Sequence, residues 1–175
     1  MSSNIDTKLV TLIAGMAGGE TVILANQNAP QPPKPFWMVR LQSTGAYGMA
    51  EHTAPDATGT AEVIQTKRLT VNVQRFSDVR GSSLEKLQDF KLNLEKTSVR
   101  DAFAAQKIVA YDSADVQDVT ALLDNAKYED RASIDVFIGY RASATDNVGL
   151  IETVSTVYED YDKSPIVVSI SQNLS

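Results

Sequence analysis

The apolar positions along the chain switch between two rhythms, one helical and one strand-like. Ile5, Leu9, Leu12, Ile13 and Met16 recur at steps of three and four, which is one face of a helix. Asn4 or Asp6 can cap its start, and Gly18 with Gly19 stops it. A short strand is predicted at 22–25. Residues 26–35 then carry four prolines in ten positions, so they form a stiff extended connector. Residues 36–42 read as a strand, and the Gly, Ala, Thr and Pro content of 47–60 reads as an exposed loop or hairpin tip. In the long strand predicted at 62–76, Leu69, Val71 and Val73 alternate with Thr70, Asn72 and Gln74.

Helical spacing returns with Leu84, Leu87, Phe90 and Leu94, where Ser82 or Ser83 offers an N-cap and Glu85 a capping box. A second short helix runs over 98–105, followed by a strand at 108–111. Residues 114–124 fit either a helical turn or a strand entry through Val116, Val119, Leu122 and Leu123. The clearest strand is 131–141, with Ile134, Val136, Ile138 and Tyr140 on one side and Ser133, Asp135, Phe137 and Gly139 on the other. Further strands are predicted at 149–158 and 165–171. Strands dominate and helices interrupt them, so the expected class is α+β. Its sheet is mostly antiparallel or mixed, with helices packed on one face. Residues 1–163 are expected to form a single domain and 164–175 a C-terminal strand or arm.

Length supports this, because a chain of 175 residues buries about 70% of its unfolded surface and has a real core. The absence of cysteine removes disulfides, thiolate metal sites and cysteine nucleophiles. A net charge of −6 opposes nucleic-acid binding, which rests on Lys and Arg neutralising phosphates. A local basic patch around Lys67, Arg68 and Arg75 is the one alternative to that. Residues 9–18 imitate a signal peptide but follow Asp6 and Lys8 rather than a basic region. No apolar run reaches the roughly 18 residues of a membrane span, so the chain reads as soluble, without a membrane partner.

Candidate chemistry is sparse. The single histidine, His52, falls in the predicted loop, which is a poor place for a general base. One histidine cannot build a metal cluster. Asp112, Asp115 and Asp118 recur every three residues, and Glu159, Asp160 and Asp162 form a second acidic group. Neither follows an EF-hand pattern. Arg80-Gly81-Ser82-Ser83 precedes a helix whose N-terminus could take an anion, yet no Walker lysine follows. No catalytic residue, metal ligand or cofactor is therefore expected. The enzymatic alternative is a small metal-dependent hydrolase built on Asp112 or Asp118.

Two segments look made for protein contact. The connector presents a preformed backbone with low ordering cost, at Asn26, Gln27, Asn28, Pro30, Pro32 and Pro33. The last strand, with Ile166, Val168 and Ile170 in alternation, has no obvious hairpin partner. It pairs either within its own sheet or with a second chain.

Several strings, taken in order, carry a family likeness: VILANQNAPQPPKPFWMVRL (22–41), LTVNVQRFSD (69–78), SVRDAF (98–103), VQDVTALLD (116–124), EDRASIDVFIGYR (129–141) and VGLIETV (148–154). Together they resemble the neck or tail terminator proteins of tailed bacteriophages over about residues 5–155. The resemblance implies a structural virion protein of the tail or neck, assembled in the host cytoplasm. Such a protein forms a homo-hexameric ring that caps the tail tube, ends tube polymerisation and offers a surface to the head. Implied partners are the tail tube protein and a head–tail connector or neck protein, with a tail sheath protein as a further candidate. DNA would pass the lumen without specific binding. The resemblance also implies interfaces at residues 26–35 and at 115–124, including Asp115, Gln117 and Asp118. A head–tail adaptor or a tail tube subunit is the alternative within the same class.

Overall fold

The computed structural model describes residues 5–123 and 127–149 in full, and the strand backbone of 153–160 and 163–171. Helix α1 (Ile5–Met16) leads into β1 (Thr21–Leu24), β2 (Phe36–His52) and β3 (Thr60–Ser77). Helices α2 (Ser82–Leu94) and α3 (Thr97–Ala105) follow. The chain continues through β4 (Ile108–Ser113), β5 (Gln117–Asp118), β6 (Ala121–Leu123) and β7 (Lys127–Asn147), and then β8 (Thr153–Asp160) and β9 (Lys163–Ser171). Seven strands share one mixed sheet in the order β1-β2-β3-β7-β4, and β5 and β6 pair with further stretches of β7. β1 runs parallel to β2, with Thr21 opposite Phe36, and β4, β5 and β6 run antiparallel to β7. The α+β class read from the sequence is the one observed.

Period-two alternation decides which sheet face is covered. Leu69, Val71 and Val73 of β3 and Ala132, Ile134, Val136 and Ile138 of β7 are buried on one side, together with Trp37 and Val39 of β2. All three helices close this side through Leu9 and Ile13, Leu87, Phe90 and Leu94, and Phe103. The rings of Trp37 and Phe90 meet at 5.6 Å. Each such side chain contributes about 1.5–3 kcal/mol when buried, and Phe90→Ala would remove about 3–5 kcal/mol by leaving a cavity.

Several expectations change in detail. β2 runs on to His52 and β7 to Asn147, well past the predicted ends at 42 and 141. The extra residues 43–49 of β2 are exposed, so neither face carries an apolar stripe to reveal a strand. His52 is thus the last residue of β2 rather than part of a loop. The ambiguous stretch 114–124 contains β5 and β6, two short strands against β7.

Helix α2 begins differently from the predicted capping box. Its N-cap is Gly81, in the left-handed region at φ 77°, with no cap bond from its own segment. The Asp130 carboxylate of β7 takes that role, accepting from Gly81 N at 2.6 Å and Ser83 N at 2.7 Å. Ser83 is fully buried and its hydroxyl donates to the Asp130 carbonyl at 3.2 Å.

The chain packs as two compact units, residues 1–48 with 66–141 and residues 49–65 with 142–175. The first holds the helices and the core. In the second, Thr53 N donates to Glu62 O at 2.9 Å across the β2–β3 turn. Asp56 organises that turn by accepting from Thr58 N, Thr58 Oγ1 and Thr60 N. Gly59 sits at φ 77°, and a Cβ there would lie 2.8 Å from the Gly149 backbone, so only glycine fits. β8 and β9 form an antiparallel hairpin with Tyr158 opposite Ile166, Thr156 opposite Val168 and Val154 opposite Ile170. The side chains of this hairpin lie outside the described residues, as do residues 150–152 of the strand predicted at 149–158.

Candidate functional site

The uncovered face of the first unit carries polar and aromatic side chains in place of an apolar stripe. Here β2, β3 and β7 present Phe36, Phe76 and Arg131. The two phenylalanine rings stack at 4.6 Å and 6°, and the Arg131 guanidinium lies over Phe76 at 4.5 Å from its centre. Arg131 also donates to Glu129, and Glu129 accepts Lys34 at 2.6 Å. Lys34, in the proline-rich connector, reaches Asp78 as well, at 3.4 Å. The connector is thereby strapped to the end of β7 by a charge cluster whose central carboxylate, Glu129, is buried.

Electrostatics within the cluster are mutual. Burial pushes the Glu129 carboxyl up, but hydrogen bonds and charge from Lys34 and Arg131 outweigh it and hold the group below the usual range. The hydrogen bond to Glu129 raises Lys34 above an ordinary lysine, against a smaller opposing effect of burial. One donor is left over. Arg131 Nε is buried and has no hydrogen-bond partner, and such an atom ordinarily costs about 1–3 kcal/mol. Beside it lies a cavity of about 430 Å³ between connector and sheet, lined by residues including Ile23, Leu24, Pro30, Phe36, Met38 and Arg131. Its walls are mostly apolar, with Asn26, Gln27, Gln31 and Glu129 as polar members, and it brings together no nucleophile and base.

A family model for phage neck terminator proteins matches residues 3–162. The chain belongs to that family. No curated protein matches it. The neck terminator is accordingly a structural phage protein of the tail or neck, placed in the virion and in contact with other tail or head components. No described helix is long and apolar enough to cross a membrane.

The residues singled out from the terminator's sequence fall in three places. Asn26, Gln27 and Pro30 line the strap cavity; Asn26 is left-handed at φ 62°. Asn28 and Pro33 are exposed on the same connector, and Pro32 is half-buried there. Asp115, Gln117 and Asp118 are exposed on and beside β5. Asp115 pairs with Lys91 at 2.9 Å, and Asp118 accepts Thr120 N at 2.9 Å and Thr120 Oγ1 at 2.6 Å. Ile166, Val168 and Ile170 lie on β9, whose backbone pairs with β8.

The aspartates spaced by three do not converge. Asp112 accepts the amide of Ser113, Asp115 binds Lys91 and Asp118 closes its own turn. Among the described residues no group of acidic or histidine side chains could hold a metal ion. The suggested basic patch is also dismantled. Arg75 is buried and bonded to both oxygens of Glu20, at 2.8 and 2.7 Å, while Arg68 lies over the Tyr47 ring at 4.1 Å. Sequence reasoning missed Lys34, Glu129 and Arg131 as a cluster. The signal was present in Glu129-Asp130-Arg131, three consecutive charges entering an otherwise alternating strand.

Proposed function

We propose that this neck terminator forms a closed homo-hexameric ring on the last ring of the tail tube. There it ends tube polymerisation and offers a surface to the head connector. Membership of the neck terminator family over residues 3–162 is the observation that carries this reading. Identical subunits close a ring only through two different surfaces related by rotation. This reading assigns the two surfaces to the connector and the β5 segment, whose residues are mostly exposed. The net charge of −6 suits a ring through which DNA passes without adhering. The role is structural and not enzymatic, with the tube protein, a connector or neck protein and a sheath protein as partners, and with assembly in the host cytoplasm.

Residues 164–175 act as an arm that stabilises joining to a neighbour. β9 lies almost wholly in this segment, beyond the family match. Deleting 164–175 should weaken ring formation or tail joining, and unchanged behaviour in both would remove the arm from the mechanism. Negative-stain imaging of the pure protein and of purified tails tests the main reading. Rings alone and density at one tail end are expected. Decoration along the tube, or open-ended polymers of the pure protein, would favour a tube subunit instead.

A further inference from the structure

We infer that residues 26–35 form a latched strap. The Lys34–Glu129 pair holds a slack arch of chain over the cavity, and breaking that pair opens the cavity while the sheet stays folded. β1 and β2 are parallel neighbours, so the chain has to travel back from Ala25 to Phe36 at the start of β2. A return of this kind is ordinarily made by a helix packed on the sheet. Here all three helices lie on the other side, and the proline-rich connector makes it instead. Register fixes the gap to be crossed. With Thr21 opposite Phe36 and Leu24 opposite Val39, Ala25 and Phe36 lie about 14 Å apart. A connector of this length reaches about 35 Å when extended. The excess is taken up by bowing outward, and Pro30, Pro32, Pro33 and Pro35 stiffen the arch against collapse onto the sheet. The hollow of about 430 Å³ lies beneath it.

The polar hold on the arch is confined to its ends. Among the described residues, 26–33 make no hydrogen bond or ion pair. At one end Ala25 N donates to Val39 O at 2.8 Å. At the other Lys34 meets Glu129 at 2.6 Å and Asp78 at 3.4 Å. Phe36, Met38 and Phe76 line the hollow on the face that the helices leave open, yet Phe36 is only 1% exposed and Phe76 5%. The arch thus does for these rings what a helix does for the opposite face. Freeing Lys34 extends the unbonded run to the whole connector, and the slack lets it lift as one stiff piece. The uncovered face then has a closed and an open form within one folded subunit, and a partner that prefers either form selects it.

The chain has no cysteine, so Met38→Cys in the full protein places a single thiol at the hollow. Its reaction with Ellman's reagent should quicken about tenfold when Lys34→Met is added. Ser43→Cys, at an exposed position further along β2, should react at one rate with or without Lys34→Met. The gain at position 38 should be insensitive to low urea, because lifting the strap exposes little surface beside global unfolding. Glu129→Gln releases the same latch more gently and decides the matter where Lys34→Met disturbs folding. Equal rates at position 38 in latched and released chains overturn the strap. So does a gain that climbs with urea as unfolding does, or one that appears equally at position 43.

Discussion

Two ion-pair clusters of the first unit, one on each side of the sheet, invite comparison. On the helix-covered side Arg75 is bonded through Nε and one terminal nitrogen to Glu20, and through the other nitrogen to Ser82 at 3.0 Å. Glu20 also accepts Trp37 Nε1 at 2.6 Å. Every nitrogen of that guanidinium has a partner within the fold. On the open side Arg131 spends one nitrogen on Glu129 and keeps a buried Nε with none. A closed network belongs to the fold, whereas an open one has chemistry left for something outside it.

Breaking the closed network should have the larger consequence. Glu20→Leu leaves Arg75, only 3% exposed, without its carboxylate. A loss of about 3–5 kcal/mol is expected from urea unfolding. Asp130→Ala removes the cap of α2 and strands the Gly81 and Ser83 amides, which should cost about 1–3 kcal/mol. Glu129→Gln on the open side should cost less than Glu20→Leu, about 1–2 kcal/mol. It should also make residues 26–33 more susceptible to limited proteolysis by releasing Lys34.

Titration separates the same two clusters. The Glu20 carboxyl is held below its usual range, chiefly by the hydrogen bond from Arg75, and Glu129 also lies below it. Their stabilisation is full above the ordinary carboxylate value of about 4.3 and fades as pH falls through the lower folded values. Both clusters therefore share the acid limb. Only the open one has an alkaline limb. Lys34 is raised, so its contribution is full below about pH 10.4 and is lost as pH rises through the higher folded value. Arginine has no comparable limb. Proteolysis of the connector should rise at alkaline pH while the urea midpoint of Glu129→Gln protein hardly moves. The smallest effect is expected from Asp118→Ala, which removes only a solvent-exposed turn acceptor and should leave the unfolding midpoint unchanged.

The sequence discloses the core strands because their burial is one-sided. Ile134, Val136 and Ile138 alternate with polar neighbours, and the helices below them repeat at three and four. The same rule hides Arg75, which continues the buried parity of Leu69, Val71 and Val73. Its partner lies 55 residues away, so nothing local announces that the charge is internal. The strap is concealed for a similar reason, since Lys34 and Glu129 meet only after the sheet has formed. Residues 43–49 of β2 show a third kind of silence. They are strand held by backbone pairing, with both faces wet, and therefore carry no apolar rhythm.

The carboxylate of Asp130 has one more consequence. A helix start with open amides is a natural seat for phosphate, and α2 opens on Gly81-Ser82-Ser83, a sequence of the kind that invites it. Here the seat is filled by the protein's own side chain, so dissolved phosphate, sulfate or a passing polynucleotide backbone has nothing to hold at that point. An anion site is thus closed from within at its most inviting turn, and adding inorganic phosphate should leave the stability of α2 untouched.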